Sequence, residues 1–340
     1  MFNIELLSKK RKEIMGVAII YVIIFHCYTR LAEKMSIPIL TSILRNGNIG
    51  VEIFLFLSGI GLYFSMSKDE SILPFYSRRI TRVVIPWLII SLPYWVLKSL
   101  IVDKDSIGGF LMNWSGLSFW VDGITTTWYV AFIILLYFVY PFIFRLQKRN
   151  DYFVILAAAV VVVLNAVLFF VNADYYSKVE IALTRIPVFL LGSYMGSVLK
   201  KKNWNSKKQI ASIIYIVLML VVFLIGKYSS SLSEEMSVLL IRYGEQSVAF
   251  IIIICSCLIF NKLTVKPIVN VFSFMGGITL EAYLLHVFML NVVSRTGIVE
   301  NSGNLVNFLI KTAVIAASVF CAWAFSTLYT KFLNRNKKKA

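Results

Sequence analysis

Long apolar runs alternate along the chain with short segments that carry most of its charge. A helix needs about 20 apolar residues to cross the hydrocarbon core of a bilayer. Runs of that length predict ten spanning helices, near 13–30, 48–66, 82–102, 126–146, 152–172, 179–199, 209–226, 245–261, 269–293 and 305–330. The stretch 103–125, with Trp114, Phe119 and Trp120, is too polar to span and belongs at the interface, where Trp is favoured. The expected fold class is all-α, a polytopic membrane protein with a single transmembrane domain over 1–340. Its last residues, 331–340, form a basic tail read as a cytoplasmic anchor. No soluble domain, low-complexity tract or clear internal repeat is visible.

Composition agrees with this pattern. The chain is 59% hydrophobic and 15% charged, with a mean hydropathy of +0.80. Soluble domains run nearer half apolar and a quarter charged, so the excess must face lipid or other buried helices.

A net charge of +17 raises nucleic acid as a partner. The positions of the charges exclude it. Of 34 Lys and Arg, 23 fall on the side that holds the amino terminus, nine fall on the other, and Arg185 and Lys311 lie inside spans. By the positive-inside rule the first side is cytoplasmic, which puts both termini in the cytoplasm and supports an even number of spans. Lys9, Lys10, Arg11 and Lys12 before the first run resemble the start of a signal peptide, but the run ends FHCYTR with no small-residue cleavage site, so it is read as a retained helix. The phosphates that these cations meet are lipid headgroups or those of a phosphorylated cofactor.

Cys27, Cys255, Cys257 and Cys321 lie in apolar runs with no disulfide spacing. No His or carboxylate is close to the Cys255–Cys257 pair in sequence, so no metal is expected, and the cysteines read as small apolar filler.

Ionisable residues inside spans are costly and are functional candidates by default. They are His26, Glu52, Arg185, Glu281 and His286, with Glu180, Glu245 and Lys311 nearer span ends. The predicted topology puts His26, Glu52, Arg185 and His286 in the outer half of the membrane, with His26 and Glu52 at similar depth on consecutive helices. A carboxylate beside a His fixes the imidazole tautomer and stabilises the imidazolium, the usual equipment of a general base. The alternative is that each is a buried polar group satisfied by a neighbouring helix. A second cluster, Arg78, Arg79 and Arg82, lies at the cytoplasmic mouth of the third span. Arg79 and Arg82, three apart, would share a helix face. Such a face suits phosphate recognition, and equally it suits positive-inside charge against lipid headgroups.

The residues resemble the acyltransferase-3 family of bacterial integral-membrane acyltransferases. Six stretches carry the resemblance, in the family's order: GVAIIYVIIFH (16–26), GVEIFLFLSGIGLY (50–63), FYSRRITRVVIP (75–86), WYVAFIILLYFVYP (128–141), RIPVFLLGSYMG (185–196) and TLEAYLLH (279–286). The resemblance implies transfer of an acyl group, commonly acetyl, from cytosolic acyl-CoA to a hydroxyl of a cell-surface or lipid-linked sugar, in the bacterial cytoplasmic membrane. It implies His26 and Glu52 as catalytic, with Glu52 orienting His26, and Arg78, Arg79 and Arg82 at the CoA nucleotide. It puts Trp128, Arg185, Tyr283 and His286 on the acceptor or oxyanion side, and Trp128 is equally readable as an interface anchor. The pantetheine arm of CoA would thread the helix bundle to His26, acting as a general base or through an acyl-histidine.

One position departs from the family, which has an Arg eleven residues before the first His. Here that residue is Met15. Arg11 and Lys12 lie one turn further down, within about 60° of the same stripe, and either could supply the missing cation. Otherwise this chain handles the donor differently, or is an impaired scaffold of the same fold. A polysaccharide flippase or transporter is the competing class, but it often shows paired repeats and helices broken at corresponding positions of two halves. A polysaccharide polymerase would often carry one long outer loop, and the outer segments here are short.

Overall fold

The apolar runs fold as helices, and no strand occurs among the described residues. The structure is a computed structural model that describes residues 2–299 and 301–337. Among the described residues nine helical stretches are long and apolar enough to cross a membrane, and a bent pair makes ten if it is one span. The protein is therefore a multi-pass, all-α membrane protein. The final helix, Asn304–Lys337, extends well into the stretch read as a tail, and Lys338, Lys339 and Ala340 lie outside the described residues.

Three spans depart from a simple rod. The third, Ile72–Val102, contains π-helical turns at Ile80–Val84 and Val96–Val102. Pro86 and Pro93 lie close by, and a proline that cannot donate to the preceding turn forces the ladder to widen or bend. The sixth is two helices, Ala173–Leu183 and Ile186–Lys200, that meet at Thr184 and Arg185. The ninth, expected as one run over 269–293, is Lys266–Gly277 and Thr279–Arg295 joined at 77°. There Gly276 packs so closely on the first span that a Cβ would collide with the carbonyl oxygen of Lys12. The eighth span begins earlier than hydropathy indicates. Ser233 caps it by accepting from the Met236 N–H, and Glu234 and Glu235 in the first turn complement the helix dipole, so the polar stretch through Arg242 is helical.

The second span, Gly50–Lys68, sits at the centre and is apolar on every side, as a helix buried all round must be. It runs beside Ile186–Lys200. A Cβ on Gly59 would collide with the Phe189 carbonyl, and one on Gly192 with that of Phe56. Small residues let two backbones approach this closely in a membrane. The contact fixes the register of Glu52, in the first turn of one helix, against Arg185, the N-cap of the other. The fifth and seventh spans instead expose apolar side chains, among them Phe170, Leu164, Ile213 and Leu218, and form part of the lipid-facing surface.

Between the third and fourth spans, short helices at Ile107–Trp114 and Leu117–Asp122 occupy the stretch read as interfacial. They pack inward as well. Phe119 is fully buried, and the Trp114 indole donates to the Leu88 carbonyl at 3.1 Å.

Candidate functional site

The fold brings the first, second, fourth, sixth, eighth and ninth spans together around a cavity of about 370 Å³, in the half that the sequence predicts to be outer. His26, Trp128, Arg185 and Tyr283 line it, along with Asn48, Arg242 and Glu245. Glu52 and His286 stand directly behind this lining, both fully buried.

The two histidines pair with each other. His26 Nδ1 lies 2.8 Å from His286 Nε2, and His286 Nδ1 lies 2.7 Å from the Ala282 carbonyl oxygen. A carbonyl only accepts, so His286 Nδ1 carries the hydrogen and its Nε2 is the acceptor for His26 Nδ1–H. That tautomer leaves His26 Nε2 with a free lone pair. The His26 side chain is exposed, and it is exposed into the cavity.

Matched depth had paired His26 with Glu52. In the structure Glu52 turns to the sixth span instead, where its Oε1 lies 2.7 Å from Arg185 Nε. The difference lies in azimuth. The glycine contact between the second and sixth spans aims Glu52 at Arg185, while His26 faces the ninth span. Arg185 is held on several sides. Glu245 Oε2 is 3.6 Å from Nη2, the Ile181 carbonyl accepts from Nη1 at 2.6 Å, and the guanidinium stacks 5.2 Å from the Trp128 ring. Trp128 is therefore a buried platform under a cation rather than an exposed anchor. Arg242 joins the network through both Glu180 oxygens, at 3.2 and 3.3 Å, and Asn48 donates to Glu245 at 2.6 Å. Sequence reasoning counted Arg242 among outer loop charges, because hydropathy alone does not register the capped start of its helix.

At the mouth that the sequence predicts to be cytoplasmic, the three predicted arginines part. Arg78 pairs with Asp69 at 3.2 Å, Arg82 is exposed, and Arg79 turns inward over the rings of Phe75 and Tyr137, at 5.2 and 5.6 Å. The shared face expected of Arg79 and Arg82 is not formed, because the π turn at Ile80–Val84 shifts the angular step between them. The Asp69 carboxyl is held below the usual carboxylate range, first by the Ser71 backbone N–H, then by the Ser71 side chain and Arg78.

Arg11 joins this cluster and Lys12 does not. The Arg11 guanidinium packs over Gly61, where any larger residue would displace it, whereas Lys12 is exposed. Arg11 lies near Tyr137 and Tyr129. Neither Arg11 nor Arg79 has a salt bridge among the described residues, and the Nε of each is buried without a hydrogen-bond partner. From Arg11, aromatic rings lead to the His pair, with Tyr129 against Tyr283 at 5.5 Å and Tyr283 against His286 at 5.8 Å. Tyr129 and Tyr137 were not singled out from the sequence, since tyrosines at span depth carry no distinctive spacing.

Among the described residues no cluster of His, Cys, Asp or Glu could hold a metal ion. The acyltransferase domain model of the acyltransferase-3 family matches residues 16–327. The chain therefore belongs to that family and is a membrane acyltransferase. No curated protein and no solved structure matches it.

Proposed function

We propose that the protein transfers an acyl group, acetyl by family precedent, from cytosolic acyl-CoA to a hydroxyl of a cell-surface or lipid-linked sugar, in the bacterial cytoplasmic membrane. The observation that carries this reading is the chain Ala282 carbonyl–His286–His26, which leaves one imidazole nitrogen free at the edge of an outward cavity.

In this mechanism His26 Nε2 takes the proton of the acceptor hydroxyl as its oxygen attacks the thioester carbon. His286 accepts from the opposite nitrogen and keeps the ring in that tautomer, the role that a carboxylate plays in other triads. Negative charge gathers on the former carbonyl oxygen. Arg185 borders the cavity with its position fixed by Glu52 and Trp128, and it stabilises that oxyanion. Collapse breaks the carbon–sulfur bond, and the proton on His26 passes to the departing thiolate, giving the ester and free CoA thiol. Glu52 acts on Arg185 rather than on His26. An acyl-histidine route would use the same Nε2.

Arg11, Arg79 and Arg82 take the CoA phosphates, with Arg78 available once it leaves Asp69. Cations this poor in acidic partners suit a polyanionic ligand. Arg11 stands in for the cation that Met15 lacks, so the departure at Met15 does not by itself mark an impaired scaffold. The pantetheine arm follows the seam of Tyr137 and Tyr129. That seam is closed by Tyr129, whose ring touches Phe54, Trp128 and Tyr283, and the donor enters by parting these rings.

The test is transfer of label from radiolabelled acetyl-CoA to surface glycans in membranes that carry His26→Ala. A loss of about 10²–10⁴-fold is expected for a missing general base. Full activity in this variant ends the mechanism.

A further inference from the structure

A second cavity, of about 500 Å³, lies beside the first on the outer face. Arg45, Asn46 and Ile241 line both, so the two share a wall rather than standing apart. The short outer helix Pro38–Arg45 forms one flank of the second cavity, and Phe223 and Lys227 of the seventh span form the other. That helix is anchored, because the Tyr21 hydroxyl donates to the Ile43 carbonyl at 2.7 Å. The shared wall is held upright by Arg45, whose Nε lies 2.9 Å from Glu33.

We infer that the two cavities are successive subsites of one groove, and that the acceptor is an uncharged saccharide of at least two residues. This inference rests on the proposed sugar acylation. The residue that accepts the acyl group sits in the inner cavity at His26, and its neighbour lies in the outer one.

Two observations set the chemistry. Both cavities fall in the volume range of small-ligand sites, about 300–1,000 Å³. Their linings mix apolar faces with short polar groups: Phe223, Ile241 and Pro38 beside Thr41 and Ser42 in the outer cavity, and Trp128 beside Asn48 in the inner one. Such a lining meets both the C–H faces and the hydroxyls of a pyranose ring. Secondly, the arginines of the groove are matched by acids. Arg45 has Glu33, Arg185 has Glu52 and Glu245, and Arg242 has Glu180 and Glu245. Lys227, the remaining cation of the lining, packs over the Phe223 and Tyr228 rings, so four cations stand against the four carboxylates of Glu33, Glu52, Glu180 and Glu245, and an anionic sugar would find no excess positive charge.

Ser42 and Thr41 line the outer cavity and not the inner one where His26 sits. The experiment uses the full chain in native membranes with radiolabelled acetyl-CoA. The acceptors are fragments of the producing cells' own surface glycans, freed of esters with mild alkali and separated by size and by charge. Neutral fragments of two or more residues are expected to accept label, with single residues much poorer. Ser42→Trp, which fills the outer cavity, should raise KM for the longer fragments about tenfold and leave KM for single residues unchanged. Thr41→Trp repeats the test from the next position, in case one variant fails to accumulate. Equal effects on short and long fragments, no effect from either variant, or acceptance of acidic fragments alone would each overturn the inference while leaving acyl transfer standing. No transfer to any fragment overturns both.

Discussion

Arginine meets opposite surroundings at the two ends of this bundle. In the half predicted to be outer, Arg185 is buried between Glu52, Glu245 and the Trp128 ring, and Arg242 lies across Glu180. At the mouth predicted to be cytoplasmic, Arg11 and Arg79 are turned inward against tyrosines with no acidic partner among the described residues, and only Arg78 has one, in Asp69. A buried cation matched by acids is part of the framework, because removing one member strands the others' charge. A cation without an acid is left to bind a ligand. The same residue type is locked in place by acids on one side, where Arg185 borders the cavity, and left without acids on the other, and the difference lies in the partners that each helix contact supplies.

The largest expected effect tests the structural half. Arg185→Ala leaves Glu52 and Glu245 buried without this counter-charge and should cost about 3–5 kcal/mol of stability, read as a lowered melting temperature in detergent. A variant that melts like the parent would break the comparison. Next comes the relay. His286→Phe removes the acceptor for His26 Nδ1 and should lower kcat about 10²-fold at unchanged donor KM. His286→Gln, whose side-chain oxygen can still accept, should recover part of that loss. Equal defects in both variants would mean that His286 only fills space.

The cytoplasmic arginines follow. Arg79→Ala and Arg11→Ala should each raise the donor KM about tenfold, as expected for one lost charge-assisted bond to phosphate. Melting temperature should barely move, and Lys12→Ala should change nothing. A shifted acceptor KM in their place would reverse the assignment. The smallest effect concerns Asp69. Its carboxyl titrates below the usual range when folded, so its contact with Arg78 is complete at neutral pH. The contribution is lost only as pH falls through that lowered value. Asp69→Asn at pH 7 should therefore free Arg78 and lower the donor KM slightly, and the difference from the parent protein should vanish in acid.

How much of this was legible in the sequence follows from what each feature depends on. Span number and approximate position depend on hydropathy and length, and the structure has helices there. Depth depends on topology, and the structure brings His26, Glu52, Arg185 and His286 around one cavity. Pairing depends on the angular position of each side chain, which the sequence does not display. Backbone contacts at Gly59 and Gly192 set it for Glu52, and the ninth span sets it for His26. The divergence of Arg79 from Arg82 was hidden for a similar reason, since an α-helical step cannot anticipate a π turn. Arg242 was hidden by a helix start that is polar and capped rather than apolar.

The central claim is that donor and acceptor reach the His pair from opposite faces of the membrane. Sealed vesicles of known orientation test it directly, with radiolabelled acetyl-CoA supplied only to the cytoplasmic face and glycan acceptor only to the outer face. The account predicts labelled glycan in the outer compartment, abolished by His26→Ala and made dependent on higher donor concentration by Arg79→Ala. Label that appears only when donor and acceptor share one compartment would contradict it.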